Sequence, residues 1–343
     1  FLIIILLFLI GCDNMINNPL IIGLNDRFDF KSIKPGHISE ATDYILSEAD
    51  KIKNQILDID NNSRSFDNTL LKLDDLYATV GSVSGPGYLM GSVHTHKAIR
   101  EEGLASSKKV QNYYTDLSLN EELYQAVLAY SKSNEASKLI GQRKKFLDDT
   151  MLGYKRSGFL LSAKDRKKVK TVLNRLTELG LEFDKNIRSS QDTLFLKENE
   201  LEGLSDNYKK ERLQKDGTYA IDTSYPSYSP FMKLAESDDA RRRLRFKYSN
   251  RASDVNIEIL DDIYRNRIKL VNLLGYKSYA EYRTEDRMAK NPKNVWDFEN
   301  DLKQKLRPKA VRDVSEMLKI KSLKNGTKAK VIHPWEAGYY ENQ

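Results

Sequence analysis

The sequence is poor in the residues that most often announce a site. It has one cysteine in 343 residues, which excludes an intramolecular disulfide framework and a cysteine-rich zinc site. With four histidines no Ser-His-Asp set can be assembled, and the metallopeptidase pattern HExxH does not occur anywhere. Only 8 prolines and 17 glycines accompany 40% hydrophobic and 31% charged residues. That balance excludes fibrous and disordered chains and predicts a helix-rich globular protein. The longest apolar run, Phe1 to Ile10, falls short of the roughly 20 residues that span a bilayer. There is no internal repeat and no low-complexity tract.

Charge of one sign is also missing as a block. Lys and Arg number 56 against 49 Asp and Glu, giving a net charge of +7 and a pI near 9.0, and the two signs are mixed along the chain as on a solvated surface. The densest basic run carries Lys155, Arg156, Lys164, Arg166, Lys167, Lys168 and Lys170 against Asp165. It lacks the interleaved stacking aromatics and the named motif of a nucleic-acid surface, so no nucleic-acid partner is expected.

What is present begins at the first residues. The apolar run leads into Leu9-Ile10-Gly11-Cys12 and then a polar stretch. This is the shape of a secretory signal core ending in a bacterial lipobox, where a small residue precedes a cysteine that is lipidated on sulfur. Residues 1–12 are read as a lipoprotein signal, Cys12 as the lipidation site and 13–34 as a linker. The expected location is outside the cytoplasm, periplasmic or at the cell surface, with the membrane as partner through acyl chains that each contribute about 0.8 kcal/mol per buried methylene. No initiator Met and no basic segment precede the run, so the sequence is expected to be incomplete at this end.

Further along, apolar residues recur at helical spacing: Ile38, Ala41, Ile45, Ala49, Ile52 and Ile56; then Leu70, Leu73 and Leu76 between Phe66 and Val80; then Leu123, Val127 and Tyr130 within 121–152. A long helix is predicted to start near Ser162, with Asp165 completing a capping box and Val169, Val172, Leu176, Leu179, Phe183 and Ile187 on its apolar face. Another runs from about Asn256 to Leu274 and stops at Gly275, a natural left-handed cap, with Arg267 on its seam. Between them, Tyr219 and Ile221 alternate as a short strand, and Pro226 and Pro230 predict an extended or turning segment. The fold class is mainly α, an array of antiparallel helices, divided into a helical domain over 35–224 and a second domain over 225–343.

Two local patterns are set aside. Gly81-Ser82-Val83-Ser84-Gly85-Pro86-Gly87 lacks the Lys-Ser/Thr of a P-loop and is expected to be a flexible loop. His94 and His96 would share a face only on a strand, and no third ligand lies near, so no metal is assigned to them; His37 and His333 are isolated.

Several segments resemble the thimet oligopeptidase family, which includes neurolysin and the bacterial dipeptidyl carboxypeptidases. They are Phe28 to Leu57 with Ser65-Phe66-Asp67-Asn68-Thr69-Leu70, and Ser157 to Leu161 leading to Leu179 to Ile187. Most specific is the series Tyr225 to Pro230, Arg241 to Arg245, Tyr248 to Ala252, Asn256, Arg267, Leu273 to Glu281 and Met288 to Pro292. Pro334-Trp335-Glu336-Ala337-Gly338-Tyr339-Tyr340 resembles the family's Trp-Asp followed by paired Tyr, with Glu336 in place of the Asp. The resemblance implies a two-lobed helical peptidase with a central channel that takes short peptides. It further implies a zinc ion held by an HExxH helix and a later Glu, the metal lowering the pKa of its bound water to about 7. None of those residues occurs here. The chain is therefore expected to be an amino-terminal portion that stops before the zinc motif and, alone, neither holds catalytic zinc nor cleaves peptides. The rival reading is a truncated, catalytically inactive lipoprotein acting as a helical binding module or remnant.

Overall fold

The structure is a computed structural model that describes residues 18–23, 26–190 and 192–343; the apolar run and Cys12 lie outside them. It divides into two compact units, Phe1–Leu181 with Asn266–Tyr276, and Glu182–Arg265 with Lys277–Gln343. The boundary read at 224/225 falls inside the second unit. Mainly α holds throughout, with a single two-stranded sheet among the described residues.

The first unit opens with α1 (His37–Leu57), α2 (Lys72–Val93) and α3 (Lys97–Ser118), which pack on one another. The periodic residues of α1 face inward as predicted, with Ile38, Ala41, Ile45, Ala49 and Ile56 buried, each large side chain contributing about 1.5–3 kcal/mol. The segment 13–34, read as a linker, also supplies Leu20 and Ile33 to this core. Ser65 caps a π-helical turn, Phe66–Leu71, in a reciprocal box: its Oγ accepts the Asn68 amide at 3.2 Å while Asn68 Oδ1 accepts the Ser65 amide at 2.8 Å. The turn leads directly into α2.

The stretch Gly81–Gly87 is not a loop. It lies inside α2, Pro86 included, because small residues are what the packing of α2 on α3 requires. A Cβ on Gly103 would stand 2.5 Å from the amide nitrogen of Gly91 and 2.6 Å from the carbonyl oxygen of Gly87, so the two backbones meet directly. Beside this crossing, the buried hydroxyls of Thr42 and Ser106 pair at 2.6 Å.

The periodic stretch 121–152 resolves into three helices, α4 (Glu121–Ser131), α5 (Asn134–Ser137) and α6 (Gly141–Tyr154). A second π-helical turn, Lys155–Phe159, follows and is closed by Gly158 at φ 97°. Then α7 (Ala163–Ser189) starts at Ser162, whose Oγ accepts the Asp165 amide at 3.2 Å.

In the second unit, β1 (Thr193–Leu196) pairs antiparallel with β2 (Tyr219–Asp222), Leu194 opposite Ile221, and α8 (Asp206–Lys210) lies between them in sequence. After β2, the segment expected to be extended is instead α9 (Tyr225–Leu234). Pro226 sits in its first turn, where the missing amide hydrogen costs nothing. Gly203, at φ 88°, stands so close that a Cβ would meet the Leu234 carbonyl oxygen at 2.2 Å.

There follow α10 (Asp238–Ser249), α11 (Ser253–Leu274), α12 (Tyr279–Thr284), α13 (Pro292–Asn325) and α14 (Ala337–Glu341). Helix α11 ends as predicted. Gly275 takes φ 79° and the Tyr276 amide reaches back to the Val271 carbonyl at 2.9 Å, the 6→1 bond of a Schellman cap. Its seam residue Arg267 is half-buried. Asn291 caps α13 by accepting the Asn294 amide at 2.9 Å, and Gly326 ends it at φ 65°. No residue of α13 is buried.

Candidate functional site

The segment Trp335–Tyr340 forms the centre of the most organised polar cluster in the second unit. Helix α14 packs against α9 and the end of α13, which leaves Tyr339 1% and Tyr340 5% exposed. Around them, residues 236–241 and 321–336 line a pocket of about 320 Å³.

Arg241 anchors one wall. Ala240, Arg241 and Leu244 share the inward face of α10, so of the run Arg241-Arg242-Arg243 only Arg241 is fully buried, at 1%. Its guanidinium donates to the carbonyl oxygens of Ala235 and Glu236 and to Asp238 Oδ1 at 3.0 Å, and it lies 4.1 Å over the Tyr339 ring. Such a stack places the cation on the ring's negative face. Trp335 closes the outer side: its indole N–H donates to Asp238 at 3.2 Å, and its ring stacks on His333 at 4.4 Å and 5°.

Glu336 is 3% exposed. One oxygen accepts the His333 amide at 2.7 Å, and Lys321 Nζ bridges both oxygens at 2.6 and 2.7 Å. Glu336 therefore spans the reach from the turn to α13. A second clamp joins Lys324 to Glu236 and to the Tyr339 hydroxyl, which itself donates to Glu236 at 2.8 Å. Hydrogen bonds from Lys324 and Tyr339 hold the Glu236 carboxyl below its usual range, against a smaller opposing effect of burial, and the same contacts push the Lys324 ammonium up. Burial pushes both tyrosine hydroxyls up.

Each carboxylate here has a cation: Glu236 with Lys324, Asp238 with Arg241, Glu336 with Lys321. These pairings fix the geometry of the cluster. Sequence reading found Trp335, Glu336, Tyr339, Tyr340 and Arg241 through the resemblance. It missed Glu236, Asp238, Lys321 and Lys324, which belong to no motif; their only signal is acid and base facing each other across 88 residues, as Glu236 and Lys324 do.

The histidines stand apart. His94 and His96 occupy the junction between α2 and α3, where His94 Nδ1 accepts the His96 amide at 3.0 Å, and His37 Nδ1 accepts the Lys34 amide at 3.2 Å. The zinc that the resemblance implies does not fit the residues present. Among the described residues, no three His, Cys, Asp or Glu side chains converge in a group that could hold a metal. Nor, among them, is any helix long and apolar enough to cross a membrane.

Comparison with known proteins adds what this geometry alone does not. The profile of Peptidase family M3 matches residues 231–343, which contain the whole cluster. Along the chain, Oligopeptidase A of Haemophilus influenzae is 24% identical over 95% of this chain and 50% of its own length. Saccharolysin of Saccharomyces cerevisiae is 26% identical over 91% of this chain and 45% of its own, and the Thimet-like oligopeptidase of Dictyostelium discoideum is 24% identical over 81% and 42%. The chain thus spans about half the length of the curated relatives it matches. The profile match thus falls on the segment that holds the clamped Trp335–Tyr340 cluster, and similarity to oligopeptidases runs through both units.

Proposed function

We propose that this chain is part of a zinc-dependent oligopeptidase that hydrolyses short peptides by metal-assisted attack of water. The observation that carries the reading is the agreement of the family match at 231–343 with similarity to peptidases over most of the chain. The first 230 residues contribute helical framework, and the Trp335–Tyr340 cluster rigidly sets the start of the catalytic portion. The zinc ligands and the water-activating Glu come from residues other than these 343, and the cluster's role is positional. We further propose that Cys12 is lipidated and holds the protein at a membrane surface outside the cytoplasm.

The decisive experiment is to purify the product of the intact natural locus, determine its intact mass and bound zinc, and assay cleavage of quenched fluorescent peptides with and without a chelator. Stoichiometric zinc with chelator-sensitive cleavage supports the proposal, and residues 1–343 alone should be inert. A product that ends at Gln343 and binds neither zinc nor peptide would sink it. The same mass measurement reads the acyl chains on Cys12, and an unmodified thiol or a retained leader rules the anchor out.

A further inference from the structure

The first unit contains a second pocket, of about 280 Å³, that plays no part in the cluster described above. Leu73, Tyr77, Phe146 and Tyr154 form its walls, Asp149 stands at its rim and Gly153 leaves one side open. The pocket sits where the first π-helical turn of the unit ends and the second begins: Leu73 follows Phe66–Leu71, and Tyr154 precedes Lys155–Phe159. A π turn is rare, costs helix regularity and occurs frequently at functional sites. Here the two turns lie beside one aromatic-walled cavity.

The chemistry of the walls defines a ligand. Tyr154 is buried and packs edge-on against Phe159 at 5.3 Å, while Tyr77 remains 39% exposed at the mouth and pairs with Tyr114 at 5.7 Å. Tyrosine and phenylalanine rings favour another ring in offset or edge contact, and their faces attract cations. The volume is about twice the ~150 Å³ of an apolar cavity that takes benzene, which leaves space for a bicyclic ring or a ring with a short arm. Asp149 is the charged lining residue. Its partner is Lys145, one helical turn away on the same exposed surface, with side chains 54% and 72% exposed. An exposed pair of that kind is exchanged at small cost, so the carboxylate is available to a ligand's ammonium group.

We propose that this pocket binds an aromatic ring carrying an ammonium group on a short linker. Two sources present that chemistry, a free arylalkylamine and the aromatic first residue of a peptide with a free amino terminus.

The test uses the full chain with tryptamine, its uncharged analogue tryptophol, and the peptide Phe-Gly-Gly with free or acetylated amino terminus, read by saturation-transfer and titration NMR. Saturable binding of tryptamine or of the free peptide is expected, with tryptophol and the acetylated peptide weaker; which of the two probes binds identifies the source. A Cβ on Gly153 would meet nothing within 4 Å, so Gly153→Leu is expected to place its side chain in the cavity and abolish binding. Asp149→Asn is expected to weaken the charged probes by about fivefold, the upper range for an exposed ion pair, and to leave tryptophol unchanged. Contacts from the probe to the rings of Tyr77 and Tyr154 in the unmodified protein provide a reading that no variant can disturb by misfolding. No saturable binding of either charged probe, or binding without those ring contacts, overturns the proposal.

Discussion

At residue 336 a glutamate is held at both carboxylate oxygens. Its two oxygens receive one backbone amide and an ammonium that bridges both, with Lys321 only 12% and Glu336 only 4% exposed at the side chain. Removing one member of a buried pair strands the other's charge, at a cost of about 3–5 kcal/mol. Glu336→Gln should therefore lower the unfolding free energy of the second unit by about 3 kcal/mol, measured in urea. A change below 1 kcal/mol would mean that the pair is solvated and the clamp idle. Glu336→Asp should fall between the two.

Glu236 carries a pH dependence of defined sign. Its folded-state pKa is depressed, first by the Lys324 hydrogen bond and then by Tyr339. The stability it contributes is present above the ordinary carboxylate range and is lost as pH falls through the lowered folded value. Lys324 is shifted up, so its contribution is present below the ordinary lysine range and is lost as pH rises through the raised value. Between those limits both groups are charged and the clamp is closed. The Glu236→Gln variant should accordingly lose less stability than the parent between neutral pH and the acid range, as read from urea unfolding at a series of pH values. Parallel acid limbs for the two proteins would refute the assignment.

At the scale of elements, glycines distinguish packing from mere helix weakening. A Cβ on Gly103 would meet the backbone of α2 within 3 Å, whereas one on Gly153 in α6 would meet nothing within 4 Å. Gly103→Ala should destabilise the first unit by about 2 kcal/mol or more, through overpacking. Gly153→Ala should stabilise it by up to about 1 kcal/mol, the helix-propensity gain. Equal effects in thermal melts would contradict the close crossing.

The same contrast explains which elements could be read in advance. Helix α1 was legible because Ile38, Ala41, Ile45 and Ile56 obey one period and bury one face. The Gly81–Gly87 stretch was not, because its composition signals local flexibility while the neighbouring helix demands small residues there. In α9, Pro226 and Pro230 look like breakers, yet the first falls where a helix has no amide to satisfy. The first misreading comes from tertiary packing overruling local preference, the second from the position of Pro226 in the first turn.

For the whole molecule, the uneven distribution of burial predicts where it opens first. Helix α13 has 34 residues, none buried, and Pro308 in its interior, which removes one hydrogen bond of the ladder. Limited trypsin digestion of the 343-residue chain should cut after Lys303 and Arg312 before any site in α1, as identified by mass spectrometry; first cuts in α1 to α3 would reverse that ranking. The candidate site was legible only in part for a related reason. The resemblance pointed to Trp335, Tyr339 and Arg241, but the residues that hold them, Glu236 and Lys324, are distant in sequence and ordinary in type.

The chain leaves the first unit after Leu181, comes back for Asn266–Tyr276 alone, and leaves again. The returning piece is the end of α11 with its Gly275 cap, and Leu274 lies 3.4 Å from where a Cβ on Gly158 would be. No single break in the gene can therefore separate one unit from the other. A deletion, fusion or crossover placed anywhere between 182 and 265 removes the last helical piece of the part it was meant to keep. The two units are bound to be inherited, expressed and engineered together.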